Sequence, residues 1–280
     1  MQQLSSSAEL RQQCRSWKNQ GRSLALVPTM GNIHAGHLSL VTQAQERAEL
    51  TAVSVFVNPT QFNRQDDFDH YPRTLDEDLE KLSATGVDLV FTPNEKELYP
   101  FHSLRAQVDA TEAAEGLESR HRPGHFRGVA TVVCKLLNLF QPDIALFGKK
   151  DYQQLAVIRA MVEELFIPVA IIAADTVREA DGLAMSSRNS RLTDKQRQAA
   201  PQLYSLLQSV AEKLSGAATI STLEQQAAEQ LNRSGFVTDY FAIRTRDLAL
   251  PTTTSKELVL LVAASLGDVR LIDNLEIKRH

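Results

Sequence analysis

The sequence predicts an α/β fold, a Rossmann-like parallel sheet flanked by helices with a smaller C-terminal α/β domain containing an antiparallel sheet. Three observations predict it. Short apolar runs of strand length alternate with segments of helical period as far as residue 175 or so. Polar and charged residues from Thr176 to Gly182 then interrupt the alternation, and beyond them two helical segments precede three strand-like runs. The length, 280 residues, accommodates one large core and a smaller one. Domains are therefore expected at 1–175 and 176–280.

Taken in order, apolar residues fall at helical spacing from Ala8 to Trp17, and Ser23 to Val27 reads as a buried strand. His37 to Ala48 returns to helical spacing, and Thr51 to Val57 is a β-branched strand. Arg73 to Thr85 is an acidic helix closed by Gly86 before the strand Val87 to Phe91. Helix, strand, helix and strand follow at Ala130–Phe140, Asp143–Phe147, Tyr152–Leu165 and Val169–Ala173. Parallel strands joined by helical crossovers place ligands at the strands' carboxyl ends. In the second domain, Thr193–Leu214 and Ser221–Arg233 read as helices, and Asp239–Ile243, Leu258–Ala263 and Val269–Ile272 as strands. Ser215–Thr222 and Pro251–Ser255 read as exposed loops.

Composition narrows the function. Hydrophobic residues make up 43% and charged residues 23%, ordinary for a globular chain, and the net charge of −4 supplies no general field for a polyanion. No nucleic-acid partner is expected. Two distant cysteines make neither a disulfide framework nor a zinc ligand set, the polar start (Gln2, Gln3, Ser5) lacks a signal-peptide core, and no apolar run is long enough for a bilayer. A reduced, cytoplasmic protein without a membrane partner is the expectation.

Several motifs follow the strand ends. Pro28-Thr29-Met30-Gly31-Asn32-Ile33-His34-Ala35-Gly36-His37 joins the first strand to a helix, so its turn is expected to aim unpaired backbone N–H groups and the helix dipole at an anion. His34 and His37 can both face that anion, and Gly36 lets the backbone approach. Donors aimed at charge that grows in the transition state favour attack at a nucleotide α-phosphate. Asn58-Pro59-Thr60-Gln61 offers amides suited to a hydroxy acid, although Asn-Pro is also an ordinary turn. Arg122-Pro123-Gly124-His125-Phe126-Arg127-Gly128 reads as a loop with a helix cap. Gly148-Lys149-Lys150-Asp151 permits close approach and places a point charge for phosphate, and Met185-Ser186-Ser187-Arg188-Asn189 has the hydroxyls and guanidinium to clamp a polyphosphate. Asp76-Glu77-Asp78 reads as a solvated helix face rather than a metal site.

An HxGH turn after the first strand and a Ser-Ser-Arg loop after the last resemble the nucleotidyltransferase fold shared with class I aminoacyl-tRNA synthetases. Adding the strings at 56–62, Tyr71-Pro72-Arg73-Thr74, 122–129, Asp151-Tyr152-Gln153-Gln154-Leu155 and 181–189, the chain from Leu24 to Asn274 closely resembles the pantoate–β-alanine ligase family. The resemblance implies ATP-dependent joining of pantoate to β-alanine through a pantoyl-adenylate, with AMP and pyrophosphate released. It implies His34 and His37 at the α-phosphate, His37 being the usual proton donor, and Lys150 as a further catalytic residue. ATP contacts are implied for Met30 to His37, including Gly31, Asn32, Ile33, Ala35 and Gly36. They are also implied for Gly148, Lys149, Lys150 and Asp151 near the ribose and phosphates, Val177 at adenine, and Met185, Ser186, Ser187 and Arg188 on the β- and γ-phosphates. Gln61 and Gln154 match the pantoate positions, with Asn58 close by and Met30 lining the same cavity. Mg²⁺ is expected mainly through the ATP phosphates with its protein ligands left open, no tightly bound organic cofactor is expected, and the C-terminal domain is expected to act as a lid in a homodimer.

Two positions depart from the family pattern. Ala35 and Lys149 stand where acidic residues are usual, and Lys149 is expected to add positive charge beside the triphosphate. The alternative activity is a related nucleotidyltransferase that releases an adenylylated product; paired amides at Gln61 and Gln154 suit an uncharged diol better than a phosphorylated acceptor. A non-catalytic nucleotide- or RNA-binding protein on the same scaffold is disfavoured by the absence of a basic, aromatic surface.

Overall fold

A computed structural model describes residues 1–101, 105–110, 112–214 and 219–279. The chain forms two compact units. Met1–Glu115, Arg122–Lys149 and Gln154–Asp175 make the first, and Gly116–His121, Lys150–Gln153 and Thr176–His280 make the second.

The first unit is a parallel sheet with helices on both faces. Its elements in chain order are β1 (Gln2–Leu4), α1 (Ser7–Asn19), β2 (Leu24–Thr29), α2 (Ala35–Gln45), β3 (Leu50–Val55), α3 (Gln65–Asp69), α4 (Leu75–Ala84), β4 (Leu89–Phe91) and α5 (Glu95–Leu98). After α6 (Glu118–His121), which belongs to the second unit, come α7 (His125–Phe140), β5 (Ile144–Gly148), α8 (Tyr152–Glu164) and β6 (Ala170–Ala174). The strand order is β1-β4-β3-β2-β5-β6, every pair parallel. The alternating side chains of β2 explain the two layers. Leu24 and Leu26 pack with Leu10 of α1, Leu137 of α7 and Ile158 of α8, whereas Ala25 and Val27 pack with Val41 of α2 and Leu82 of α4. Connections leave β2 toward β3 on one side and β5 toward β6 on the other, so the switch point lies between β2 and β5, paired at Ala25↔Ile144 and Leu26↔Ala145.

Sequence and structure differ in two places here. β1 escaped the periodicity because it is three residues long and polar; only its pairing with β4, Gln2↔Leu89 to Leu4↔Phe91, makes it a strand. α7 begins at His125, five residues earlier than Ala130, because its first turn carries His, Arg and Gly in place of a helical apolar repeat. Gly86 stands one residue past the C-cap Thr85 with φ 78°, the left-handed residue a helix end favours.

The second unit pairs β7 (Val237–Thr245), β8 (Glu257–Leu266) and β9 (Val269–Lys278) in an antiparallel meander, with the helices α9 (Asp194–Ala199), α10 (Gln202–Lys213) and α11 (Ile220–Arg233). Leu203, Leu207, Leu223 and Leu231 cover one face of the sheet through Leu258, Leu260 and Val262. The single helix expected at Thr193–Leu214 is two, because Pro201 lacks the N–H that an uninterrupted helix needs. The loop expected at Ser215–Thr222 lies partly outside the described residues, and Ile220 to Thr222 already belong to α11, capped by Thr219. Two short segments from within 1–175 also join this unit. Arg270 of β9 forks onto Glu118 of α6 at 2.7 and 2.8 Å, and Tyr152 donates to Arg246 O at 3.2 Å.

Candidate active site

Leaving β2 at Thr29, the backbone turns sharply before α2. Gly31 at φ 80° and Asn32 at φ 50° make the turn in the left-handed region, which glycine enters without penalty and asparagine tolerates. Their geometry brings successive N–H groups together on a carboxylate. Asn32 and Ile33 donate to the two oxygens of Asp78 at 2.8 and 2.6 Å, Thr74 Oγ1 donates to Asp78 at 3.2 Å, and Lys81 Nζ donates to Ile33 O at 3.0 Å. The N–H of Gly31 donates to Thr29 Oγ1. A Cβ on Gly31 would stand 2.9 Å from Asp78 Oδ2, so glycine is required twice over.

This corrects two expectations. Backbone donors at Gly31, Asn32 and Ile33 are not aimed at an external anion, because the chain supplies its own acceptors. Asp76 and Glu77 are exposed as a solvated face should be, but Asp78 is 1% exposed and serves the turn.

The two histidines are fixed by the helix start. His34 is the N-cap of α2 and its Nδ1 accepts from Gly36 N at 3.1 Å, while His37 Nδ1 accepts from His34 N at 3.4 Å, a reciprocal box built of imidazoles. A ring nitrogen that accepts a backbone N–H carries no proton, so each neutral ring holds its proton on Nε2 and can act there as a donor. The ring centroids are 4.0 Å apart at 34°. Thus the structure brings His34 and His37 together as the spacing required.

After β3, Pro59–Gln61 forms a single 3-10 turn. Asn58, 1% exposed, donates to Gln61 Oε1 (3.0 Å) and Gly128 O (3.2 Å), and accepts from Tyr99 Oη (2.8 Å) and Thr60 Oγ1 (3.0 Å). Burial pushes the Tyr99 phenol up, against the opposing effect of its Thr60 hydrogen bond, so it remains a donor. All four hydrogen-bonding positions of the Asn58 amide are used inside the protein, so it orients Gln61 and offers no group to a ligand. Gln61 Nε2 in turn lies 3.0 Å from Met30 Sδ, uniting two of the expected cavity residues.

The string at 122–128 does more than cap a helix. His125, 5% exposed, pairs through Nδ1 with Gln61 O at 2.8 Å and through Nε2 with Arg122 at 3.0 Å. At Gly128 a Cβ would fall 2.3 Å from Thr60 O, so α7 can approach the Gln61 turn only with glycine there. Arg122, His125 and Gly128 are therefore supports that sequence reasoning saw as a motif without seeing its purpose. Gln154, half-buried in the first turn of α8, has no side-chain hydrogen-bond partner among the described residues, whereas its neighbour Gln153 is buried and accepts from Glu118 N at 3.0 Å. At the end of β5, a Cβ on Gly148 would meet nothing within 4 Å. Lys149 pairs with Asp175 at 2.8 Å, so the expected unbalanced charge is offset by a neighbour in the same unit.

The remaining candidates belong to the second unit. Lys150 faces Asp151 at 3.6 Å, and Lys150 O accepts from Asn274 Nδ2 at 2.9 Å. Val177 O accepts from Met185 N, closing a small hairpin bridged at Arg178↔Ala184. Arg178, which no sequence motif singles out, holds that hairpin. Its guanidinium forks onto Asp273 at 2.6 and 2.9 Å, donates to Gly182 O and Asn274 O, and stacks 3.5 Å from the Tyr204 ring centre. Burial pushes the Asp273 carboxyl up, and Arg178 opposes that. Beyond the hairpin, Ser186 Oγ accepts from Arg188 N at 3.2 Å and starts the 3-10 turn Ser187–Arg191. Thus Lys150, Val177 and Met185 to Arg188 are tied together through Asp273 and Asn274 of β9.

Compared with known proteins, the chain matches the family described as Pantoate-beta-alanine ligase over residues 2–276. It belongs to that family. Among relatives, the pantothenate synthetase of Shewanella loihica is 49% identical over 97% of each chain, and that of Neisseria meningitidis serogroup B is 52% identical over 94% of this chain and 96% of its own. The crystal structure of pantothenate synthetase from Thermus thermophilus superposes with a TM-score of 0.91 at 40% identity over the whole of both chains. That of the Francisella tularensis pantoate-beta-alanine ligase, titled as complexed with beta-gamma ATP and beta-alanine, gives 0.85 at 33% identity over 98% and 97%. As a pantoate–β-alanine ligase, the chain is an enzyme that joins an acid to an amine. Every motif string from Leu24 to Asn274 lies inside the matched span. No helix among the described residues is long and apolar enough to cross a membrane, and no group of three potential ligands among them is placed to hold a metal.

Proposed function

We propose that this ligase works by adenylation. A carboxylate resists an amine because its carbonyl is electron-rich and oxide leaves poorly. A pantoate oxygen therefore attacks the α-phosphorus of ATP, pyrophosphate departs, and the β-alanine amine then attacks the resulting mixed anhydride to give pantothenate and AMP. The single observation that carries this reading is the pair of capped imidazoles, 4.0 Å apart at the carboxyl end of β2 beside the switch point. Two neutral Nε2–H donors suit the charge that spreads over phosphate oxygens during transfer, so we assign His34 and His37 to electrostatic stabilisation ahead of proton donation.

On this reading Gln61, oriented by Asn58 and lying against Met30, and the amide of Gln154 hold pantoate. Gly148 leaves room for the ribose beside Asp151. Lys150, Ser186, Ser187 and Arg188 hold the outer phosphates, and backbone groups at Val177 meet adenine. Asp78, the buried acid at the histidine turn, is engaged by two backbone N–H groups and the Thr74 hydroxyl, which fits Mg²⁺ arriving mainly on the ATP phosphates. Such an ion supplies charge neutralisation on the triphosphate. A lid role for 176–280, a homodimer and a cytoplasmic location complete the proposal.

The test uses pantoate labelled with ¹⁸O in its carboxylate, ATP, Mg²⁺ and β-alanine. Adenylation transfers one labelled oxygen to AMP, and AMP appears in step with pantothenate. Unlabelled AMP would overturn the adenylate, and a stable nucleotide product that ignores β-alanine would favour the nucleotidyltransferase alternative.

A further inference from the structure

Residues Asp78 and Lys81 are one turn apart on α4 and act on the same short turn between β2 and α2, at Asn32 and Ile33. The carboxylate accepts the N–H groups of Asn32 and Ile33, and the ammonium donates to Ile33 O, so both polar groups of the Ile33 backbone are held by side chains from about 45 residues away. Ile33 immediately precedes the N-cap His34, whose own N–H donates to His37 Nδ1. Position and tautomer of the histidine pair are thus continuous with the clamped segment. The arrangement is also costly to build. A buried carboxylate is stable only when fully hydrogen-bonded, two successive left-handed residues are unusual, and Gly31 must stand aside for Asp78 Oδ2.

We propose that Asp78 and Lys81 form a two-point clip that positions the imidazole pair, making them positioning residues for adenylation rather than metal ligands or solvated charges. The clip fixes the direction in which the Nε2–H donors approach the phosphate. Misplacement by an ångström at such a site lowers turnover far more than binding. This inference rests on His34 and His37 acting at the α-phosphate.

Three variants test it, Asp78→Asn, Asp78→Ala and Lys81→Met, each compared with His37→Ala. Asp78→Asn keeps the shape but turns an amide donor toward one of the two backbone donors, and Lys81→Met removes one contact without opening a hole. The clip requires kcat to fall on the order of ten- to a hundredfold in Asp78→Ala, with KM for ATP and β-alanine changed less than about threefold, and to fall by intermediate amounts in the other two. Adding Asp78→Ala to His37→Ala should then lower kcat by less than about threefold, because both act on one device. In the protein without substrates, imidazole ¹⁵N resonances of His34 and His37 should move from the Nε2–H pattern toward a mixture of tautomers in the clip variants.

If His37→Ala leaves kcat intact, the phosphate role of the histidines fails, whatever the clip does. If His37→Ala is impaired while folded Asp78→Asn and Lys81→Met keep wild-type kcat and ¹⁵N shifts, the clip fails and the site assignment stands. Should Asp78→Ala not fold, those two milder variants decide the question.

Discussion

The histidine turn of the first unit and the Ser-Ser-Arg loop of the second are both candidate phosphate contacts, and they are held by opposite means. Asn32 and Ile33 depend on Asp78 and Lys81, side chains of a helix 45 to 48 positions away. Residues Ser186 to Ser190 close on themselves: Ser186 Oγ takes Arg188 N, Asn189 Nδ2 reaches Ala184 O, and Ser190 Oγ reaches Ser187 O, none more than five positions apart. Arg178, forked onto Asp273 and donating to Asn274 O, is a long-range strut of the hairpin that carries the loop. The contrast teaches where rigidity is needed. The turn that carries the donors proposed for the reacting phosphorus is fixed by tertiary contacts, whereas the groups proposed for the outer phosphates sit on a locally closed loop tethered through Arg178.

Breaking that tether should produce the largest effect. Arg178→Met leaves Asp273 buried without its partner and should lower unfolding stability by about 3–5 kcal/mol in urea titrations. The sign of its pH dependence follows from burial, which already raises the Asp273 carboxyl. A carboxyl with a folded pKa above its unfolded one destabilises increasingly as pH rises from the unfolded value through the folded one, so the deficit of Arg178→Met should shrink as pH is lowered. A deficit that grows on acidification would contradict the buried pair.

His34→Ala or His37→Ala should reduce kcat on the order of a hundredfold or more while KM for ATP moves only severalfold, as measured in steady-state assays. A raised KM with kcat unchanged would place these rings among simple binding groups and erase the contrast with the loop. Gly128→Ala sharpens the first half of the comparison, because its Cβ would collide with Thr60 O. It should cost about 1–3 kcal/mol by thermal unfolding and raise KM for pantoate ahead of ATP, since Gln61 is what moves.

Smaller effects are expected in the loop. Ser186→Ala removes one local cap, worth about 1 kcal/mol at most to that turn, and should raise KM for ATP with little change in global melting. Asp181→Asn should matter least. Its exposed pair with Arg197 holds the carboxyl below the usual range, so its stabilisation is present above that range and is lost as pH falls through the lowered value. The loss should stay under about 1 kcal/mol and diminish in salt.

Much of this was legible in the linear order of residues, because the relevant physics is short-range. Strand–helix alternation needs only the periods of buried side chains, and β2, β3, β5 and α8 lie where those periods place them. His34 and His37 are three apart at a helix start, so their meeting follows from the helix itself. Pro201 was visible too, and its break in the helix was the available signal that an apolar repeat concealed. Asn58 is the instructive failure: an amide beside a predicted strand end looks like a ligand group until Tyr99, Thr60, Gln61 and Gly128 are seen to occupy all of it.

By itself, then, the sequence determined the α/β architecture, the imidazole pair, the Ser-Ser-Arg loop and the family resemblance, all of which rest on spacing within a few residues. Tertiary structure alone decided that Asp78 is a buried acceptor while Asp76 and Glu77 face solvent, that Arg178 is a strut, that Lys149 is paired with Asp175, and that polar Gln2–Leu4 is a strand. The physical reason is common to all four. A charge or a backbone donor acquires its role from the partner that replaces water, and that partner is brought in by the fold from elsewhere in the chain.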